Sequence, residues 1–179
     1  MAKLLPYIFI LFISMFLFLG ISFAGEAENM ELPPYKGSPP FESMKRLAGT
    51  WEGSLVSGDK KESVQVHYKV SSNGSTIIET SFPGTKHEMI TVYHDKEGTL
   101  HMTHYCAIGN QPQMDLVKAE GKDLKFAFSK SNEIDADKEG HMHGLTLTVV
   151  DQDHLIQNWT MYKDGKDGGT TTIKLARVE

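Results

Sequence analysis

From residue 50 to the C-terminus, apolar side chains recur at every second position, and turn-forming residues interrupt them every eight to twelve residues. Alternation with period two is typical of β-strands that have one buried and one exposed face. The pattern predicts ten strands, near residues 50–57, 62–71, 75–82, 86–94, 99–107, 111–118, 123–129, 142–150, 154–162 and 169–178. So many consecutive antiparallel strands normally close into a barrel, which removes the unpaired edges of the sheet.

One short helix precedes the strands. Phe41, Met44 and Leu47 lie at helical spacing, with Pro40 at the start of the segment and Gly49 at its end. We therefore expect an all-β domain over residues 41–179, built as an antiparallel up-and-down β-barrel of about ten strands with a short N-terminal helix. Residues 130–141 are polar and predict one long loop.

The first 40 residues have a different composition. Lys3 is followed by an uncharged, mainly apolar run from Leu4 to Ala24, which ends in small residues that suit a signal peptidase. We expect a signal peptide over residues 1–24 and a flexible linker or extended arm over the Pro- and Gly-rich residues 25–40. An uncleaved segment would instead be a membrane anchor. Either alternative predicts a periplasmic or secreted domain.

Charge and cysteine content exclude several functions. The chain has 18 basic and 23 acidic residues, a net charge of −5, and no basic run. This composition argues against binding to nucleic acids or anionic membranes. Cys106 is the only cysteine, so no disulfide forms within the chain. The oligomeric state stays open, and a homo-oligomer is one alternative.

Two motifs at the ends of the predicted barrel carry a family resemblance. Gly49-Thr50-Trp51 opens the first strand, and Arg177 lies near the end of the last. This combination resembles the lipocalins and their calycin relatives, which implies that Arg177 packs over Trp51 and closes the barrel base. The sequence from His87 to Pro112 resembles that of a family of bacterial exported domains of unknown function with a lipocalin-like fold. The stretch GTWEG is also similar to nitrobindin-type haem barrels. Those barrels take their iron ligand from a histidine near the C-terminal strands, and the last strand here has none.

The segment 87–114 holds four of the eight histidines together with Glu88 and Cys106. The turn Asp95–Gly98 suits a type I turn with a glycine bulge, which would pair Asp95 with Thr99. In that register the inner wall of the barrel carries Glu88, Ile90, Val92, Leu100, Met102, His104 and Cys106. A register shifted by one would bring Met89, Thr91 and Tyr93 inward against His104 instead.

The same alternation extends the predicted wall to other strands. Its apolar and aromatic side chains, with a few polar groups, are typical of a small-molecule cavity. The candidate ligand-binding residues are Tyr68, Glu88, Met102, His104, Cys106, His143, Gln157 and Trp159. The alternative is a narrow barrel filled by its own side chains.

These residues favour an exported barrel that binds a small, largely hydrophobic ligand. A second hypothesis is haem or metal binding through His104, and a third is an enzyme with Glu88 and His104 as acid and base. Phosphate-loop, nucleophile-elbow and Cys-x-x-Cys motifs are absent from the sequence, so a binding protein is favoured over an enzyme. His141 and His143 share a face and could chelate a metal, whereas His101 and His104 point to opposite faces. No residue is assigned as a metal ligand.

Overall fold

The computed structural model describes residues 32–178, which form a closed barrel of ten antiparallel strands behind one short helix. This confirms the predicted fold class. The helix α1 covers Pro39–Lys45. The strands are β1 Gly49–Ser57, β2 Lys60–Ser71, β3 Thr76–Ser81, β4 Met89–Lys96, β5 Thr99–Tyr105, β6 Gln113–Glu120, β7 Asp123–Phe128, β8 His141–Val149, β9 His154–Lys163 and β10 Lys166–Arg177.

Each strand pairs with its neighbours in sequence, and β1 pairs with β10 to close the barrel. This up-and-down topology needs only short connections, and a closed ten-stranded antiparallel barrel is consistent with a calycin-like fold. The long loop between β7 and β8 lies where the polar run predicted it. The proposed signal peptide, residues 1–24, and residues 25–31 of the proposed linker lie outside the described residues. Between residues 32 and 178, no helix has both the length and the apolar character to span a membrane.

The helix covers one end of the barrel, here called the base. Ser38 caps its N-terminus, because its hydroxyl accepts a hydrogen bond from the Phe41 N–H. Phe41 and Met44 are fully buried among the side chains at the base. The preceding residues 32–38 lie along the barrel, where the Tyr35 N–H donates to the Asn73 carbonyl. The Ser38 hydroxyl also donates to Asp95 on β4. These contacts hold the helix against the base.

Trp51 and Arg177 lie directly opposite each other on β1 and β10. The guanidinium carbon of Arg177 is 4.2 Å from the centre of a Trp51 ring, which is cation–π geometry. Arg177 also donates to the carbonyls of Arg46 and Ala48, just after the helix. The indole N–H of Trp51 donates to the Leu47 carbonyl. The pair therefore joins the end of the helix to both strands at the barrel seam.

Candidate ligand site at the open end of the barrel

The hairpin between β4 and β5 has a different register from the one we preferred. Its turn contains only Glu97 and Gly98, both with positive φ, so Lys96 rather than Asp95 pairs with Thr99. Two-residue turns of this kind match the right-handed twist of the strands. The expectation that Glu88, Ile90 and Val92 face inward was wrong. The structure has the register shifted by one residue, in which Thr91 and Tyr93 face inward.

The corrected register places His104 opposite Thr91 inside the barrel, near the end away from the helix. The side chain of His104 is buried, with the residue only 3% exposed. Its Nδ1 lies 2.9 Å from the Thr91 hydroxyl oxygen, whereas its Nε2 has no hydrogen-bond partner. Burial lowers the pKa of His104 to about 4. The imidazole is therefore neutral at neutral pH, with one nitrogen free to bind a ligand.

A cavity of about 40 Å³ lies beside His104 at this open end. Its walls are mainly apolar and come from strands around most of the barrel. They comprise Leu55, Ser81, Met89, His104, Met142, Trp159, Thr171 and Ile173. The Trp159 ring packs against the imidazole, with 4.7 Å between ring centres. Pockets for drug-sized ligands usually measure about 300–1,000 Å³, so this cavity accepts only a few heavy atoms as it stands.

A buried carboxylate, absent from the sequence-based candidates, lies next to this cavity. Glu79 on β3 is 1% exposed and faces the barrel interior. It lies between Tyr68 on β2 and Thr91 on β4, and Thr91 in turn lies opposite His104. Four adjacent strands thus contribute one row of inward polar side chains, which we call the polar row: Tyr68, Glu79, Thr91 and His104.

Hydrogen bonds satisfy both oxygens of the Glu79 carboxyl. The Tyr93 hydroxyl donates to Oε2 over 2.7 Å, while the Gln157 amide and the Ser81 hydroxyl donate to Oε1 over 3.1 and 3.2 Å. Burial nevertheless raises the pKa of Glu79, because desolvation outweighs these bonds. Burial also raises the pKa of Tyr93, so its phenol stays protonated and able to donate.

Gln157 links the polar row to the cavity wall across the barrel. Its amide nitrogen donates to the Tyr68 hydroxyl over 2.6 Å as well as to Glu79. Its amide oxygen accepts a hydrogen bond of 3.0 Å from the Trp159 indole N–H. This chain of hydrogen bonds fixes the Trp159 ring against His104. Glu79 and Gln157 therefore position the cavity wall, and both are almost completely buried.

Two predicted wall residues lie elsewhere. Glu88 is exposed in the loop before β4, where its carboxylate accepts a hydrogen bond from the Gly84 N–H. Cys106 is half-buried in the turn after β5, where its backbone pairs with Asn110 and Gly109. The inner wall that was to combine Glu88, His104 and Cys106 is therefore not formed. Nor does the acid–base pair of Glu88 and His104 assemble.

A β-bulge in β8 moves His143 away from its predicted position. The β8–β9 pairing shifts between Met142 and Gly144, so Met142 rather than His143 lines the cavity. The ring of His143 instead stacks on Tyr162, with 3.7 Å between ring centres. Its Nδ1 lies 3.0 Å from His141 Nε2, and His141 Nδ1 lies 2.7 Å from the Glu139 carbonyl. Since a carbonyl oxygen accepts, His141 Nδ1 donates to Glu139, and the two imidazoles are joined by a further hydrogen bond.

The remaining predicted residues are buried inside the barrel. They are Tyr68, Met102, Gln157 and Trp159. Sequence alternation would have found Glu79 as well, since Glu79 has the parity of Ile77 on the same strand. Over residues 32–178, no three His, Cys, Asp or Glu side chains converge on a point that could hold a metal ion.

His104 Nε2 is the type of atom that ligates haem iron, but the surrounding space does not fit a porphyrin. The cavity of about 40 Å³ is several times smaller than pockets for molecules of that size. A haem group would have to displace Trp159, Met89 and Met142 from the wall. The hydrogen bond from Trp159 to Gln157 opposes that displacement.

Comparisons with known proteins give little further information. No protein-family model matches the chain, and no curated protein matches it. One similar solved structure is a protein of unknown function from the DUF3598 family of Nostoc punctiforme. It is 11% identical, the match covers 80% of this chain and 100% of that chain, and the TM-score is 0.22.

Proposed function

We propose that this protein is an exported barrel that binds a small, mainly apolar molecule at its open end, with His104 as the polar contact. The observation that supports this most is the unpartnered Nε2 of His104 beside an apolar cavity. A buried nitrogen without a hydrogen bond costs about 1–3 kcal/mol. A ligand with one polar group would recover this energy while its apolar part packs against Trp159.

The size of the cavity limits the ligand. Molecules of a few heavy atoms fit the space next to His104 directly. A longer, unbranched molecule requires Met89 and Met142 to move outward. Both methionines are half-buried, and methionine side chains adapt their shape readily. We therefore propose slender ligands, such as straight-chain alcohols, rather than broad ring systems.

Tryptophan fluorescence tests this proposal, because Trp159 touches the site and Trp51 lies at the base. We expect 1-hexanol to change the emission in a saturable way. His104→Leu replaces the imidazole with an apolar side chain and so removes the hydrogen bond to the hexanol hydroxyl. It should weaken hexanol binding about tenfold, or about 1.4 kcal/mol. His67→Leu on the outer face is the matched control. Equal hexanol affinity in the wild type and His104→Leu would refute the role of His104.

Native mass spectrometry of the purified protein gives an independent test. A copurified molecule should be present in the wild type and reduced in His104→Leu. Export is tested separately, by N-terminal sequencing of protein recovered from the periplasm or medium. Cleavage after Ala24 is the expected result, and an intact N-terminus in the cytoplasm would contradict it.

A further inference from the structure

The corrected register of the β4–β5 hairpin brings two histidines together on the outer wall of the barrel. His94 and His101 are directly paired across the two strands, and their rings are 6.0 Å apart between centres, at 26° to each other. Side chains that are directly opposite on one face of a sheet are in contact distance. Both are partly exposed, so a solute can reach them.

A carboxylate orients one of the two rings. Asp115 on β6 is paired with His101, and its Oδ1 lies 2.6 Å from His101 Nδ1. With Nδ1 donating to Asp115, His101 presents Nε2 as a free lone pair. Histidines that ligate metals almost always donate their other nitrogen to a carboxylate or carbonyl in this way, which fixes the tautomer.

We propose that His94 and His101 chelate a divalent transition-metal ion, Zn²⁺ or Cu²⁺, with Asp115 as the orienting partner of His101. Imidazole suits both ions. Two imidazoles on one tetrahedral zinc ion have ring centres about 5–6 Å apart, because each Zn–N bond is about 2.0–2.1 Å. Binding of a shared ion requires the two stacked rings to rotate so that one nitrogen of each faces the ion. This site lies on the outer wall and shares no residue with the lining of the proposed ligand cavity.

The surroundings leave room for the rest of the coordination shell. The two histidines and Asp115 line an open cleft of about 350 Å³, together with the hydroxyls of Ser129 and Ser131. Lys96 also lines the cleft, and its positive charge works against a bound cation. We assign only the two imidazoles as direct ligands, and water molecules complete the coordination of the ion. We therefore expect a site that exchanges its ion readily.

Calorimetric titration of tag-free protein with ZnCl₂ tests the site. We expect one Zn²⁺ per chain, and at least tenfold weaker binding in both His94→Gln and His101→Gln. Asp115→Asn should weaken binding about tenfold, within the 10–100-fold range usual for orienting partners. His154→Gln is the matched control, because His154 also contacts an aspartate, Asp151, but has no histidine opposite it.

Thermal melting separates a lost site from a damaged fold. Zn²⁺ should raise the Tm of the wild type and of His154→Gln, and should leave the Tm of His94→Gln and His101→Gln unchanged. The proposal is wrong if those two variants bind Zn²⁺ as tightly as the wild type. It is equally wrong if His154→Gln loses as much affinity as they do, since binding would then be nonspecific.

Discussion

The low pKa of His104 predicts that the barrel loses stability in mild acid. The ordinary pKa of histidine is 6.5, and burial lowers that of His104 to about 4 in the folded state. The folded protein therefore takes up the proton less readily than the unfolded chain does. The resulting stabilisation is fully present above pH 6.5 and is lost as the pH falls towards 4.

The size of this effect follows from the two pKa values. A difference of one pKa unit corresponds to 1.36 kcal/mol, so the full effect is about 3 kcal/mol. About 2 kcal/mol of it should already be lost at pH 5. A domain of this size typically has a free energy of unfolding of about 5–15 kcal/mol, so the loss is large enough to measure.

Urea unfolding of the wild type and of His104→Leu, at pH values from 7.5 to 4.5, isolates the contribution. Glu79 works in the opposite direction, since its raised pKa stabilises the fold as the pH falls, but it is present in both proteins. The difference between the two free energies of unfolding therefore reports His104. We expect this difference to shift by about 2 kcal/mol in favour of His104→Leu between pH 7.5 and 5.

The exposed His67→Leu serves as the control for removing a titratable histidine. A difference between wild type and His104→Leu that stays constant within about 0.5 kcal/mol from pH 7.5 to 4.5 would refute the reasoning. Such a result would mean that the imidazole takes up its proton equally well in the folded and unfolded chains. The cavity next to His104 would then be accessible to water.

Two further substitutions test the base of the barrel and the hairpin turn. Arg177→Met removes the hydrogen bonds to Arg46 and Ala48 and the contact with Trp51, so we expect a loss of about 2 kcal/mol and a Tm lower by about 4–8 °C. The exposed Arg46→Met is its control, and equal melting of both variants would contradict the proposed role. Glu97→Asn should raise the free energy of unfolding by about 1 kcal/mol, because asparagine tolerates the positive φ found at this position. Unchanged or lower stability of Glu97→Asn would refute this explanation of the turn.

The strand pattern was predictable because each strand has one buried face, which imposes period two on the sequence. The same pattern predicted the burial of Tyr68, Met102, Gln157 and Trp159. It failed for His143, because a β-bulge adds one residue to the strand and changes which side chain faces inward. The local signal for this bulge is Gly144, which directly follows His143, since an isolated glycine within a strand often marks a bulge.

The hairpin register was wrong for a reason that involves distant residues. We placed Ile90 and Val92 inside because they are more apolar than Thr91 and Tyr93. In the structure, Ile90 is 37% exposed, while Tyr93 is fully buried. The buried hydroxyl of Tyr93 is satisfied by Glu79, a residue on a different strand. Local hydrophobicity cannot show that a polar side chain has such a partner.

Glu79 was not among the candidates because the predicted wall was not extended to its strand, although an unpaired buried carboxylate would be strongly unfavourable there. Once the register is known, its burial follows from three donors, on Tyr93, Gln157 and Ser81. A slip of one residue in β4 would remove Tyr93 from this group and turn Glu88 inward without a partner. The Tyr93–Glu79 hydrogen bond therefore stabilises this register in addition to the turn.

The two proposed sites depend on this same register. Pairing of Thr91 with His104 on the inner face requires pairing of His94 with His101 on the outer face, because residues of one strand alternate between faces. The register that we first preferred, with Asp95 opposite Thr99, would separate both pairs at once. The buried hydrogen bond between Glu79 and Tyr93 therefore supports the cavity directly and the outer histidine pair indirectly, although neither Glu79 nor Tyr93 lines the outer cleft.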